Sequence, residues 1–402
     1  MGPLNTLGAV TIESRSRVKT QETPVETRSG RRLDELDSLR GLAALLVVFF
    51  HLNNLWETPA TRLAYFVRFW LLYPFTAGHE AVVLFFVLSG FVLAIPAIRG
   101  KGLTYPVFLL RRLFRIYFPY LVALALGVTG AAKFHNHIGL SAWYTDVWSK
   151  PVDWRLVWQH VVFIGQYHYY QFNIAFWSLA IEMRISLIFP LLCALALRLR
   201  PSHSLVLAAF ISFAGSLFYY FHPSSEAIYS TLHFAPLFIV GIYLARQQRE
   251  LSAFYASRSR IAKLAGALLS AFLFIFGLRN HVDHPLHLVT DWPTTLGAAG
   301  IIVFSLNSTV FRRVLLWPPI RFLGRISYSV YLLHCTVMLV LVHLLDGHLP
   351  RLVIVAVCFG SILVLSSIFY FLVEKPSMYW GRQVGDFMDG GAHSDLPQLT
   401  KE

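Results

Sequence analysis

Apolar stretches near the length of a bilayer crossing recur along almost the whole chain, separated by short segments rich in Arg, Pro and polar residues. Ten such runs predict helices, at about 39–56, 78–98, 114–131, 174–197, 203–221, 228–245, 262–278, 294–309, 326–345 and 351–373. Two further pieces, 62–75 and 153–165, are shorter or broken by Arg68, Asp153, Arg155 and His160, and are expected to be interfacial or re-entrant. The fold class that follows is all-α: a polytopic membrane protein with about ten transmembrane helices in one bundle.

Composition supports this pattern. Of 402 residues, 56% are hydrophobic and only 14% charged, which leaves no room for a sizeable soluble domain beside the apolar runs. Residues 1–32, rich in Ser, Thr, Arg and Glu, lack the continuous apolar core of a signal peptide and are expected to form a disordered cytoplasmic tail. One membrane domain over 33–378 follows, then a second cytoplasmic tail over 379–402. The formal charge of +13 does not point to nucleic acid, because the basic residues sit at the ends of apolar runs rather than on one soluble face. With a cytoplasmic N-terminus, the inward connections carry Arg99, Lys101, Arg111, Arg198, Arg246 and Arg312 among many others, while the outward loops hold few cations. The positive-inside rule therefore places both termini in the cytoplasm of a multi-pass protein of the plasma (inner) membrane. Cys193, Cys335 and Cys358 fall inside apolar runs, with no metal-ligand spacing, so neither a metal site nor a permanently bound cofactor is expected.

Ionisable residues inside hydrocarbon are costly and therefore mark candidate chemistry. His51, Glu182, Arg184 and His334 lie well inside the runs. Arg40 and His51 are eleven positions apart, about 1100° of helix rotation, so they share a face, with His51 about 16 Å deeper. Glu182 enters from the opposite side and reaches a similar depth, as does His334, which shares its face with Ser327 and Tyr331 at helical spacing. Polar groups from three helices are thus expected to converge. Arg184, two positions from Glu182, points to another face. Plainer roles exist for each: a buried His can serve as a packing hydrogen-bond partner, Arg111, Arg112 and Arg115 as topology anchors, and Ser89 and Ser178 as small residues that let helices approach.

The same residues carry a family resemblance that spans Leu36 to Pro376. Leu36-Asp37-Ser38-Leu39-Arg40-Gly41-Leu42-Ala43 leading to His51 resembles the opening helix of the acyltransferase 3 membrane acyltransferases. Phe85-Phe86-Val87-Leu88-Ser89-Gly90-Phe91, Arg112-Leu113-Phe114-Arg115-Ile116 with Pro119, and Trp177-Ser178-Leu179-Ala180-Ile181-Glu182 are similar to later motifs, in order. Gly324-Arg325-Ile326-Ser327-Tyr328-Ser329-Val330-Tyr331-Leu332-Leu333-His334 and Val373-Glu374-Lys375-Pro376 complete the set. The chain departs from the pattern at Val83, where many members have Asp, and at Ile185-Ser186, where many have an aromatic pair.

The resemblance implies a membrane O-acyltransferase that takes an acyl group, acetyl being expected, from cytoplasmic acyl-CoA as co-substrate. The acceptor would be a hydroxyl of a carbohydrate, glycolipid or other amphiphile. His51 would act as general base or acyl carrier, Glu182 as its orienting carboxylate, and Arg40 as a further participant. Arg112 and Arg115 would bind donor phosphates, with Ser89, Ser178, Tyr331 and His334 in support. The outward loop 132–173 offers Trp143, Tyr144, Trp148, Trp154, Trp158, Tyr167, Tyr169 and Tyr170 for sugar stacking or for an aromatic belt. The alternatives are a transporter or flippase of a lipid-linked or amphiphilic molecule, using the same polar groups as a path, and a non-catalytic receptor or scaffold.

Overall fold

Each of the ten apolar runs falls on a helix. The computed structural model describes residues 33–389 apart from 58–60, 62–66, 68–71, 101–103, 136–138, 145, 164, 166, 223 and 277–286, with only the backbone of 287–290. The expected tail 1–32 and most of segment 62–75 therefore lie outside the described residues. The helices are α1 (Asp34–Asn53), α2 (Gly78–Ile98), α3 (Tyr105–Lys133), α4 (Trp154–Val162), α5 (Phe176–Arg198), α6 (Pro201–Phe221) and α7 (Glu226–Arg246). They continue as α8 (Gln248–Ser257), α9 (Arg260–Phe276), α10 (His287–Asn307), α11 (Thr309–Leu315), α12 (Pro318–Leu345) and α13 (Arg351–Met388). No strand occurs among the described residues, so the class is all-α.

The expected count of about ten spans is not confirmed among the described residues. Among the described residues, seven helices are long and apolar enough to cross a membrane: α2, α3, α5, α6, α7, α12 and α13. The pair α10–α11, bent by 90°, makes an eighth if counted as one span. Not among them are α1, whose first two turns carry Asp34, Glu35, Asp37 and Arg40, and the 17-residue α9. The outer surface nonetheless reads as lipid-facing: Phe210 and Phe213 on α6 and Ile261 and Leu264 on α9 are all more than half exposed. A soluble protein would leave a large unfavourable apolar patch there, whereas lipid removes that cost.

Helix α1 packs against α12 and α2, α2 against α7, α7 against α6 and α5, and α12 against α13. Several crossings are close enough to require glycine, two of them around α1 and α2. A Cβ on Gly41 would lie 2.6 Å from the Gly324 backbone nitrogen, and one on Gly324 would lie 2.5 Å from the Asp37 carbonyl oxygen. Gly90 and Gly241 meet the opposing backbones of α7 and α2 at still shorter range. Small residues at such crossings let backbones touch, which sets the rotation of each helix about its axis. At the α1 start, Glu35 and Asp34 accept from Arg312 and Arg321, both at 2.6 Å.

The two longest helices are each broken by a π turn, Leu113–Tyr117 in α3 and Tyr370–Glu374 in α13. In both, a proline follows closely, Pro119 and Pro376. A proline inside a helix removes one i to i−4 hydrogen bond, and the wider turn absorbs that loss and shifts the side chains before it. The shifted residues are Arg112, Arg115 and Glu374 with their neighbours. Tyr328 of α12 donates to the Ile116 carbonyl at 2.8 Å, and Ser329 donates to Glu374 at 2.5 Å, so α12 is pinned to both π turns. Helix α13 continues to Met388, where Asp386 accepts from Arg111 at 2.7 Å. Arg111 is thereby occupied as an anchor.

Over the ends of these helices, the aromatic residues of 132–173 divide. Tyr144 and Trp148 are fully buried, while Trp143, Trp154 and Trp158 are exposed. Trp148 Nε1 donates to the Phe172 carbonyl at 3.1 Å, and Asn173 donates to the Leu332 carbonyl at 2.9 Å, which fastens the segment to α12. Helix α4, within the expected interfacial piece, is capped by Asp153, which accepts from the Arg155 N–H at 2.9 Å.

Candidate active site

Helices α1, α2, α3, α5 and α12 enclose a cavity of about 80 Å³. It gathers Arg40, Ser89, Arg112, Arg115, Ser178, Glu182, Ser327 and Tyr331, residues drawn from five separate motifs of the chain. With three arginines against one carboxylate on its walls, the formal excess is two positive charges. Such an unbalanced set in a helical bundle suits an anionic ligand.

At its centre, Arg112 donates through Nη2 to Glu182 Oε1 at 2.7 Å, and both side chains are largely buried. Arg112 also reaches Ser186 Oγ through Nε at 3.2 Å and Nη2 at 3.1 Å. Ser186 in turn donates to the Glu182 carbonyl at 2.7 Å, one turn back on α5. Ser89 donates to the same Glu182 oxygen at 3.1 Å. Sequence reasoning did not single out Ser186 as a partner of Arg112; the signal was its position four residues after Glu182, where helical spacing puts it on the same face. Arg40 is 3.8 Å from Asp37, one turn back, while the exposed Arg115 makes no ion pair among the described residues.

Tyr331 forms the link to a second group. Its hydroxyl lies 2.5 Å from Ser178 Oγ, and its ring centroid lies 5.8 Å from that of His334. His334 then sits 5.1 Å, ring to ring, from His51. Both histidines are buried. His334 Nδ1 is 2.8 Å from the Tyr331 carbonyl, which makes Nδ1 the protonated nitrogen and Nε2 an acceptor. That Nε2 is buried and has no hydrogen-bond partner among the described residues. Tyr144, from the segment over the helix ends, donates to the His51 carbonyl at 2.9 Å and sits 3.3 Å from His51 Nδ1.

The expected convergence is thus split. His51 and His334 come together, whereas Glu182 is engaged by Arg112 and Ser89; the neighbours of the His51 ring are Tyr144 and His334 instead. Arg184 faces away from the cavity as expected, donating to the Ala180 carbonyl at 3.2 Å and to the Ala227 carbonyl. His51, His334 and Cys335 bring potential ligand atoms within 4.8 Å of one another, the one grouping of metal-ligand type among the described residues. Two imidazoles and a thiol are donor types that zinc accepts.

The model of the acyltransferase domain named Acyl_transf_3 matches residues 33–371, which includes every residue of this site. A putative membrane-bound transacylase, BcsY of Komagataeibacter xylinus, is 29% identical over 359 residues, covering 86% of this chain and 83% of BcsY. The O-acetyltransferase OatA of Staphylococcus aureus is 24% identical over 369 residues, covering 87% of this chain but only 57% of OatA. No solved structure gives a significant match. With most of its length matched by the family model and the motif residues gathered around one buried cavity, the chain belongs to the acyltransferase 3 family and is a membrane-bound transferase of acyl groups.

Proposed function

We propose that the protein moves an acyl group, acetyl in the first instance, from acyl-CoA to a hydroxyl of a carbohydrate, glycolipid or other amphiphilic acceptor. The observation that carries this reading is the arginine-rich cavity of Arg40, Arg112 and Arg115, whose wall residue Tyr331 also packs against His334, the ring neighbour of His51. The relatives named transacylase and O-acetyltransferase support the same reaction class. In this reading Arg115 and Arg40 receive the donor phosphates from the cytoplasm, and Arg112 adds charge while fixed to Glu182. The protein sits in the inner membrane with both termini cytoplasmic, in keeping with the distribution of Arg and Lys.

Transfer needs a base for the acceptor hydroxyl and a path for the leaving thiolate. Tyr144 donates its single hydroxyl proton to the His51 carbonyl, so its oxygen accepts from His51 Nδ1–H. His51 Nε2 is then the unprotonated nitrogen. It takes the acceptor's proton as the alcohol oxygen attacks the thioester carbon. The C–S bond breaks, and the imidazolium returns the proton to the departing sulfur. His51 Nε2 attacking the thioester itself, to carry the acyl group as an acyl-imidazole, uses the same nitrogen.

Purified protein in detergent tests the proposal: thioester cleavage that depends on an added alcohol acceptor, with the acyl group recovered on that acceptor, is expected. Movement of an amphiphile across vesicles with no CoA release would replace the reading with transport.

A further inference from the structure

Helix α9 packs against α10, where Gly297 and Gly300 let Phe274 and Ser270 approach closely. On its other face Ile261, Leu264, Leu268, Leu269 and Phe272 are each more than half exposed. Their spacing puts them on one stripe, which rises roughly 16 Å, close to one leaflet of a hydrocarbon core about 30 Å thick. Arg260 stands at the start of that stripe, one turn before Leu264, and Arg258 lies in the turn that joins α8 to α9. Both are exposed. The Arg258 guanidinium sits 4.0 Å from the centroid of the Phe254 ring. Apart from that ring contact, neither guanidinium makes an ion pair or a side-chain hydrogen bond among the described residues. The single acidic residue of 247–276 is Glu250, about 12 Å back along α8.

Other arginines at helix ends are held inside the protein: Arg111 by Asp386, Arg246 by the Ala196 and Leu199 carbonyls, Arg312 by Glu35 and Arg321 by Asp34. Arg258 and Arg260 differ in keeping their N–H forks available at the head of an apolar stripe. Stacking on Phe254 orients the Arg258 plane and leaves its edge to donate, and a guanidinium edge matches phosphate oxygens. Lys263 ties the two helices together beneath them, with Nζ 3.4 Å from the Ala256 carbonyl and 4.8 Å from the Tyr255 ring centroid. A free phosphate would meet the arginines but not the stripe, and a neutral chain would meet the stripe alone. A zwitterionic headgroup would bring its own cation beside the guanidinium pair. We propose that an anionic phospholipid docks here, its phosphate between Arg258 and Arg260 and one acyl chain along Ile261, Leu264, Leu268 and Phe272. This site stands apart from the arginine-rich cavity and does not rest on the acyl-transfer reading.

The test is native mass spectrometry of the full chain in detergent, titrated with dioleoyl phosphatidylglycerol, dioleoyl phosphatidylcholine and glycerol phosphate. Phosphatidylglycerol is expected to bind about tenfold or more tightly than phosphatidylcholine, and glycerol phosphate more weakly than either. A cation at the membrane surface is worth about fivefold in affinity for an anionic lipid, so Arg258→Gln with Arg260→Gln should weaken phosphatidylglycerol about 25-fold. The same pair should leave phosphatidylcholine unchanged. Leu264→Asn with Leu268→Asn should weaken both lipids. As a control, Arg198→Gln with Arg200→Gln removes the same charge from the connection between α5 and α6 and should leave phosphatidylglycerol affinity unchanged. All six side chains are exposed, so thermal unfolding in lipid-free detergent reports that each variant is folded. Equal affinity for the two lipids, or glycerol phosphate binding as tightly as phosphatidylglycerol, overturns the proposal. So does an equal loss in the two arginine pairs, which would mean general surface charge, or unchanged affinity in the leucine pair.

Discussion

Arg112 and Glu182 form an ion pair at 2.7 Å with both side chains largely buried, and Ser186 accepts from the same guanidinium while Ser89 donates to the same carboxylate oxygen. The arginine is therefore part of the scaffold as well as a source of charge for the cavity. Removing one partner of a buried pair leaves the other uncompensated, which costs about 3–5 kcal/mol.

Arg112→Ala is accordingly expected to lower thermal stability in detergent sharply, and Arg112→Ala with Glu182→Gln to recover much of that loss. Differential scanning fluorimetry of the single and double variants checks this. Equal stability of wild type and Arg112→Ala would remove the structural role.

Arg115 behaves differently, because it lines the same cavity yet is exposed and makes no ion pair among the described residues. Arg115→Ala should leave stability within about 0.5 kcal/mol. Acyl-CoA affinity should fall roughly tenfold or more, the scale of a charge-assisted hydrogen bond. Lys should restore only part of it, since a point charge does not reproduce the guanidinium fork. Titration with a fluorescent acyl-CoA reads the effect, and full affinity in the Ala variant would move donor binding elsewhere.

For His51 the expected outcome is a folded protein with transfer reduced about 100-fold to 10,000-fold on substitution by Ala. Tyr144→Phe removes the hydroxyl that holds Nδ1 and should lower kcat less, with little change in donor KM. Near wild-type turnover by a monodisperse His51→Ala variant would shift the base to His334, whose Nε2 is buried with no hydrogen-bond partner among the described residues.

Membrane orientation is testable because Cys193, Cys335 and Cys358 are all buried. Single cysteines introduced at Ser252 in α8 and at Ser149 should label from opposite sides of the membrane with an impermeant maleimide, Ser252 from the cytoplasm. Labelling of both from one side contradicts the topology.

The sequence by itself determined the all-α class, the family and the identity of the cavity's residues. Period and run length report hydrophobic helices directly, and the motifs carry the polar residues that hydrocarbon would otherwise exclude. It also marked His51 and His334 as imidazoles inside apolar runs, since that depends only on their positions in the chain. What it left open was the partner of Glu182. A helical wheel fixes which residues share a face but not which neighbouring helix that face meets. That choice was made by the glycine crossings of α1 with α12 and α2 with α7, and by the π turn before Pro119 that re-aims Arg112 and Arg115. The Asp291 bridge between His79 and His233 was equally hidden, because its members lie on three helices far apart in the chain. His79 and His233 each fall inside an expected apolar run, 78–98 and 228–245, and only tertiary packing supplied the carboxylate between them.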